Sequence, residues 1–463
     1  MNDEQDGAAA RVACLCVPAP APWIPAPFGL GLLPGLASAA PVAARPAAGP
    51  RPVRIAFYSH DTMGLGHTRR NLLIAHALGR SRPAVGLMVT GARESGAFAI
   101  PPGMDFVTLP SLFKGGDGRY QSRSLAATLP ELIELRAQII RAALRAFDPD
   151  VLIVDSVPRG AVRELDPALE SLRARGRARC VLGLRDVLDE PAVVRREWAS
   201  AGNQEAIQDA YDAVWVYGDP AVYDPVREYR WPREMAAKVR FTGYLDQRVR
   251  LGFSRGNACE RLASLGLPPG RLVLCLVGGG QDGASLTEAF AQAALPPDAS
   301  GVILTGPFMP PEARERLRAL AACRPRLKVI EFLDEPTELL SRVDRVVAMG
   351  GYNTVSELLS FGKHALIVPR VSPRREQMIR AERLRDLGLV HLLHPDRVSP
   401  GTVGEWLARD LGPPPPVEDR IDMTGLTRLP HFLEDLLGED LLDAAPPAGR
   451  RRVQEDRTQH AAL

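Results

Sequence analysis

The sequence is poor in cysteine, has no unbroken apolar stretch of membrane-spanning length, and carries almost no excess of either charge. Each shortage narrows the field. The six cysteines, Cys14, Cys16, Cys180, Cys259, Cys275 and Cys323, form no C-x-x-C pair, and Cys180 and Cys275 lie in apolar, strand-like runs where a thiol acts as a small hydrophobe. A reducing, cytoplasmic setting is expected. Lysine and arginine total 57 against 55 acidic residues, a formal charge of +2. Arg69-Arg70, Arg195-Arg196 and Arg374-Arg375 are short, scattered clusters rather than a continuous basic stripe, so no nucleic-acid partner is implied. Local contacts to anions or carboxylates are their expected use. The first fifty residues open with acidic side chains and are interrupted by Pro18, Pro20, Pro22, Pro25 and Pro27. This excludes a signal peptide, which needs a basic start and an unbroken apolar core, and a spanning helix of about 20 residues. Residues 1–51 are expected to be a disordered leader. With no membrane segment downstream, a lipid substrate would be met at the bilayer surface, which leaves room for peripheral membrane contact.

What is present is the composition of a soluble globular protein, 46% hydrophobic and 24% charged, over 463 residues. At roughly 100 to 200 residues per domain, that length suggests two domains. From residue 53 onward, short β-branched runs alternate with helical patterns, the signature of parallel βαβ units. Strands are expected at 54–58, 85–90, 105–109, 151–154, 180–184, 213–217 and 239–242, with helices at 125–147 and 161–175. The rhythm pauses near 244–270 and restarts, with strands at 272–277, 301–304, 327–331, 345–348 and 365–368 and helices at 285–294, 311–322, 354–361 and 374–387. The expected fold is α/β, two tandem Rossmann-like domains facing across a cleft. Residues 52–248 form the first and 249–411 the second, followed by a linker and final helix over 412–442 and a disordered tail at 443–463. Ligands of open parallel sheets bind outside the carboxyl ends of the strands, so the informative residues should directly follow strands.

They do. The stretch "HDTMGLGHTRRN", residues 60–71, follows the first strand. After Gly64 and Gly66, the third glycine of a dinucleotide fingerprint would fall at position 69, which is Arg69, and no Lys-Ser/Thr follows to make a P-loop. What remains is a tight turn that brings backbone N–H groups and a helix N-terminus towards a polar ligand. His67, at the start of that helix, can accept a proton from an attacking hydroxyl, or it can simply cap the helix. Asp155, at the end of the strand 151–154, can orient an acceptor, act as base in place of His67, or cap the next helix. Gly278-Gly279-Gly280-Gln281-Asp282-Gly283 opens the second half, and three consecutive glycines before a helix permit close contact with a diphosphate. Further on, Gly350-Gly351 end a strand and Asn353 or Thr354 caps a helix. Glu357 either completes a Thr-x-x-Glu capping box or accepts hydrogen bonds from a ribose diol. Glu376 and Gln377 form an acid–amide pair able to hold several sugar hydroxyls, or a solvated polar pair. Asp148-Pro-Asp150 spells a D-x-D pattern able to hold a metal ion, but it precedes a strand and lies at the wrong edge of the sheet. No metal site and no cofactor are implied.

Together, "GLGH", "VGGGQDG" and "GGYNTVSELLSFGKHALIVPR…EQMIRAERL" resemble the glycosyltransferases of the GT-B fold, and in particular the family 28 group that includes the lipid II-forming N-acetylglucosaminyltransferases. "GLRDVLDEP" (183–191) and "VWVYGDP" (214–220) further resemble a bacterial group of predicted glycosyltransferases. The resemblance implies that Gly279, Gly280 and Gln281 approach the donor diphosphate and Glu357 the ribose. It implies that Glu376 and Gln377 read the donor sugar, that Gly351, Asn353 and Thr354 belong to the same donor site, and that Gly64, Gly66 and His67 face the acceptor. The family has a further glycine before its His, a Gln-Gln pair in place of Glu376-Gln377, and an Asn in place of Arg380. Without a metal, backbone N–H groups and the helix dipole are expected to neutralise the leaving group, joined by an arginine such as Arg370 or Arg374. The implied function is metal-independent transfer of a hexose or N-acetylhexosamine from a nucleotide-diphosphate sugar, with uridine as the nucleoside, to a hydroxyl acceptor that is a glycan, a lipid-linked molecule or a small molecule. The rivals are a nucleotide-sugar 2-epimerase and a non-catalytic nucleotide-sugar-binding subunit. Acceptor recognition is expected around the glycine-rich loop 111–124.

Overall fold

The computed structural model describes residues 51–60, 66–93, 95, 98, 100–114, 120–253, 263–333 and 335–442. The expected leader and tail, and Gly64 of the first loop, lie outside these residues. Fifteen strands are named in chain order. In the first half they are β1 (Val53–Ser59), β2 (Ala84–Thr90), β3 (Met104–Thr108), β4 (Leu112–Lys114), β5 (Tyr120–Ser122), β6 (Val151–Asp155), β7 (Arg179–Arg185), β8 (Ala213–Tyr217) and β9 (Val239–Phe241). In the second they are β10 (Arg271–Leu276), β11 (Ala299–Leu304), β12 (Leu327–Ile330), β13 (Arg345–Ala348), β14 (His364–Ile367) and β15 (His391–Leu392).

Two open parallel sheets result, in the orders β3-β2-β1-β6-β7-β8-β9 and β12-β11-β10-β13-β14-β15. Strands covered by helices on both faces have no polar side, and β1, β6 and β8 are accordingly almost continuous buried apolar runs. Each sheet reverses its strand order beside its first strand. One switch point lies between β1 and β6, where Ile55 pairs with Val151, and the other between β10 and β13, where Val273 pairs with Arg345. These are the places where the strand-end loops part and leave room for a ligand.

Several local expectations differ from the structure, among them the helix expected from 125, which begins at Leu129. The helix expected from 161 starts only at Asp166, because Val162 and Arg163 hold positive φ angles of 49° and 66°. The helix expected from 374 begins at Glu376. The helix expected from 354 begins at Tyr352 with Gly351 as its N-cap, so neither Asn353 nor Thr354 caps it. Within the glycine-rich loop 111–124, β4 and β5 pair as an antiparallel hairpin, with Leu112 opposite Ser122.

The chain returns to its first half at the end. Leu245 bridges Thr424, the Tyr244 amide donates to the Asp422 carbonyl at 2.8 Å, and the final helix Gly425–Leu442 lays Phe432 against Trp215 with ring centroids 6.2 Å apart. Leu429, Leu433 and Leu437, spaced one helical turn apart, bury in the core cluster that runs through both sheets. Among the described residues, no helix is long and apolar enough to cross a membrane.

Candidate functional site

The two switch points face each other. The helix Gly66–Ser81 after β1 and the helix Tyr352–Ser360 after β13 meet end to end, so closely that a Cβ on Gly66 would lie 2.3 Å from Asn353 Nδ2. A side chain at 66 would have to displace the Asn353 amide. The Tyr352 hydroxyl donates to the Tyr217 carbonyl at the end of β8, at 2.7 Å, which ties the second helix to the first sheet. Between them lies a cleft of about 280 Å³ whose wall includes Gly66 and His67 from one half and Gly278, Gly279, Gly351, Asn353, Thr354 and Glu357 from the other.

On the first wall, His67 Nδ1 stands 2.8 Å from Asp155 Oδ2. Arg70 lies one helical turn after His67, and its Nη2 donates to both oxygens of the same carboxylate, at 2.6 and 2.7 Å. Arg70 Nη2 is also 3.1 Å from His67 Nδ1, and a guanidinium N–H cannot share a line with an imidazole N–H. The shorter contact and the stronger acceptor assign the Nδ1 proton to Asp155. Nε2 is then the unprotonated nitrogen, on the opposite side of a ring that lines the cleft. Burial raises the Asp155 pKa, but Arg70 and His67 beside it outweigh this and hold the carboxyl at about 2. Asp155 is wholly buried. It therefore sits behind His67 and does not reach an acceptor, which corrects the expectation that it could orient one or act as base.

The second wall carries the glycine loop. Gly280 has φ +91°, and a Cβ there would come within 2.0 Å of the Thr305 carbonyl oxygen. Gly280 is thus a folding requirement of the loop rather than a cleft-lining group. Gly278 and Gly279 do line the cleft, and among the described residues their backbone amides meet no protein acceptor. The helix Ala284–Gln292 starts just behind them, with its positive dipole end towards the loop.

The family model for the glycosyltransferase family 28 C-terminal domain matches residues 273–420. The chain has the GT-B fold, with a family 28 C-terminal domain over residues 273–420. It is 28% identical over 136 residues to a UDP-N-acetylglucosamine–N-acetylmuramyl-(pentapeptide) pyrophosphoryl-undecaprenol N-acetylglucosamine transferase of Halalkalibacterium halodurans, covering 28% of this chain and 36% of that protein. A transferase of the same name from a Sulfurihydrogenibium species is 35% identical over 68 residues, 14% of this chain and 20% of that one. The matches thus span about a third and a fifth of these curated relatives. Among solved structures, the calicheamicin glycosyltransferase CalG4 superposes with a TM-score of 0.54 at 19% identity, over 84% of this chain and 99% of that one. The UDP-GlcNAc 2-epimerase of Neisseria meningitidis, bound to UDP-GlcNAc, gives 0.54 at 15%, over 84% and 99%. These likenesses establish the two-domain fold.

Within the family 28 domain, several expected site residues are differently disposed. Glu357 makes no capping box. Its Oε1 accepts from Arg250 Nη1 at 3.0 Å, and burial, eased by Arg250 and reinforced by the Glu335 charge, raises its pKa to about 7. Arg370, Glu376 and Gln377 are turned towards one another. Arg370 Nη2 donates to Glu376 Oε1 at 2.7 Å, its Nη1 donates to Asp282 at 3.1 Å, and its backbone N–H donates to Gln377 Oε1 at 3.0 Å. None of the three lines the cleft, and neither do Gly280 and Gln281. Glu376 is buried, and its Oε2 has no partner among the described residues, so this oxygen retains its full acceptor capacity. Arg374 is bound to Asp189 at 3.0 Å and Glu197 at 2.8 Å. Arg370 and Arg374 are therefore committed to carboxylates, contrary to the expectation that one of them meets the leaving group. Asp148 and Asp150 of the D-x-D sequence also pair with arginines, Asp148 with Arg175 at 2.8 Å and Asp150 with Arg51, away from the cleft. Among the described residues, no cluster of three metal-ligating side chains occurs.

Sequence reasoning missed the residues that join the halves. Arg380 and Asp186 are both wholly buried and paired at 2.6 Å, and the Tyr244 hydroxyl donates to the same carboxylate at 2.6 Å. Arg374 reaches Asp189, and Arg375 reaches Glu190 at 2.6 Å. The motif "GLRDVLDEP" thus docks on the arginines preceding and within the helix Glu376–Asp386. The signal was available in one departure, an arginine at 380 where the family has Asn, and in the acids at 186, 189 and 190 of that motif. Phe332 and Phe308, also missed, add aromatic surface to the cleft wall beyond β11 and β12.

Proposed function

We propose that the protein transfers a hexose or N-acetylhexosamine from a uridine diphosphate sugar to a hydroxyl acceptor, with His67 as the general base. The observation that carries this reading is the pairing of His67 with the ionised, buried Asp155 on one wall of a cleft whose other wall is a family 28 glycine loop. In this reading the donor's diphosphate rests on the Gly278 and Gly279 amides and the positive end of the helix Ala284–Gln292. Its ribose meets Glu357, and its base packs by Phe308 and Phe332. The acceptor enters from the His67 side. As its oxygen attacks the anomeric carbon, Nε2 of His67 takes the hydroxyl proton, and Asp155 stabilises the imidazolium that forms. The bond from the anomeric carbon to the diphosphate breaks, and the charge that develops on the leaving group is met by the loop amides and the helix dipole.

Both curated relatives carry an undecaprenol-linked acceptor in their names. This supports a lipid-linked acceptor, reached in the cytoplasm by peripheral contact with the membrane surface. A thermal-shift screen against nucleotide sugars, followed by a transfer assay with the stabilising donor, tests the reading. Selective stabilisation by one UDP-sugar and release of UDP with a glycosylated product are expected. Release of free nucleotide with no transfer product points instead to a 2-epimerase, and binding without turnover to a non-catalytic subunit.

A further inference from the structure

Three arginines stand on the first-domain side of the cleft, and two of them are committed. Arg69 reaches Glu335 at 3.4 Å, and Arg70 is bound to Asp155 at 2.6 Å. Arg185 is different. It is the last residue of β7, next to the strand that ends in Asp155, and it lines the same cleft as Gly278, Gly279 and Thr354. Among the described residues its one hydrogen bond is long, 3.4 Å from Nη2 to the Leu188 carbonyl, and its Nε has no partner. A guanidinium carries five N–H donors, so most of this one's capacity is unused. The neighbouring carboxylate cannot serve it, because both oxygens of Asp186 are taken by Arg380 and Tyr244. Desolvation lowers the Arg185 pKa, and the Arg380 and Arg70 charges add to this against the nearby Glu376 and Asp186 carboxylates, neither of which hydrogen-bonds it. A half-buried cation in this position is unfavourable until an anion joins it.

Gly278 and Gly279 on the facing loop have the complementary vacancy, with amide donors that meet no protein acceptor among the described residues. Donors thus stand on both walls. We propose that Arg185 is a phosphate-binding residue, which reaches from the first domain to the diphosphate of the donor held by the second. The inference rests on the nucleotide-sugar reading above and adds to it the cation that the glycine loop lacks. A planar guanidinium matches two phosphate oxygens at once. It retains its proton throughout, and its charge stabilises the oxygen that gains negative charge as the bond to the anomeric carbon breaks. Because it belongs to the acceptor-side domain, it makes diphosphate binding depend on both halves of the cleft.

The test is calorimetric titration of the wild type, Arg185→Gln and Arg185→Lys with UDP and with uridine. Arg185→Gln is expected to lose roughly tenfold to a hundredfold in UDP affinity, in the range of one or two charge-assisted hydrogen bonds. Its uridine affinity is expected to stay unchanged, and Arg185→Lys to recover part of the loss. The ligand-free thermal midpoint of Arg185→Gln should hold or rise, since the variant removes an unpaired cation. Unchanged UDP affinity, or equal losses for UDP and uridine, overturns the proposal while leaving the donor reading intact. A wild type that binds none of UDP, TDP, GDP and ADP overturns the donor reading itself, and this proposal with it.

Discussion

Glu357 offers a stability experiment with a calculable sign. It lies in the helix Tyr352–Ser360, 4% exposed, and shares Arg250 with Glu335, which receives Nη2 of the same guanidinium at 2.9 Å. One cation thus serves two carboxylates, and burial prevails, raising the Glu357 pKa from 4.5 to about 7. A raised pKa means that the folded protein holds this proton more tightly than the unfolded chain does. The resulting stability is fully present below pH 4.5 and is lost as pH rises through 7. At about 1.4 kcal/mol per pKa unit, the whole span is worth about 3 kcal/mol, of which about 2 kcal/mol falls between pH 5.5 and 8.5. Glu357→Gln keeps the shape and removes the titration. Urea denaturation of both proteins at the two pH values should therefore show the variant gaining about 2 kcal/mol on the wild type between pH 5.5 and pH 8.5. A difference between the two proteins that does not change with pH would show that Arg250 keeps Glu357 ionised throughout, and it would refute the reasoning.

Other perturbations probe the frame of the site. Arg380→Met leaves the wholly buried Asp186 without its guanidinium and should destabilise the protein by about 3–5 kcal/mol in urea denaturation, with most of this recovered in the Arg380→Met, Asp186→Leu double variant. Gly280→Ala forces a Cβ against the Thr305 carbonyl at a positive φ and should cost at least about 2 kcal/mol, together with a loss of UDP affinity by titration. Acidification should leave the His67–Asp155 contact in place until the pH approaches 2, because the lowered Asp155 pKa makes its stabilisation complete above the ordinary carboxyl range and lost only below it.

Much of the candidate site was legible because open parallel sheets place ligand-facing residues directly after strands. His67 after β1, Asp155 at the end of β6, the glycines after β10 and Gly351 after β13 are local in sequence, and composition and turn chemistry sufficed to find them. The roles within the site were less legible. Whether Asp155 faces the cleft or backs His67 depends on Arg70, whose guanidinium draws the carboxylate inward. Whether Glu376 and Gln377 face the cleft depends on Arg370, six and seven residues earlier, which turns them towards itself and Asp282. The pairing of Arg380 with Asp186 spans 194 positions, and nothing in the local pattern of either residue announces the other. Helix starts failed where backbone geometry overrode propensity, as at Val162 and Arg163.

The most direct test of the central claim separates binding from chemistry at His67. The donor selected by thermal shift is incubated with an acceptor, UDP release is followed for the wild type and His67→Ala, and both proteins are titrated with UDP. Loss of a positioned general base should slow transfer by about 10²–10⁴-fold, while UDP affinity stays within twofold of the wild type. Transfer by His67→Ala at the wild-type rate, with UDP affinity unaltered, would contradict the account.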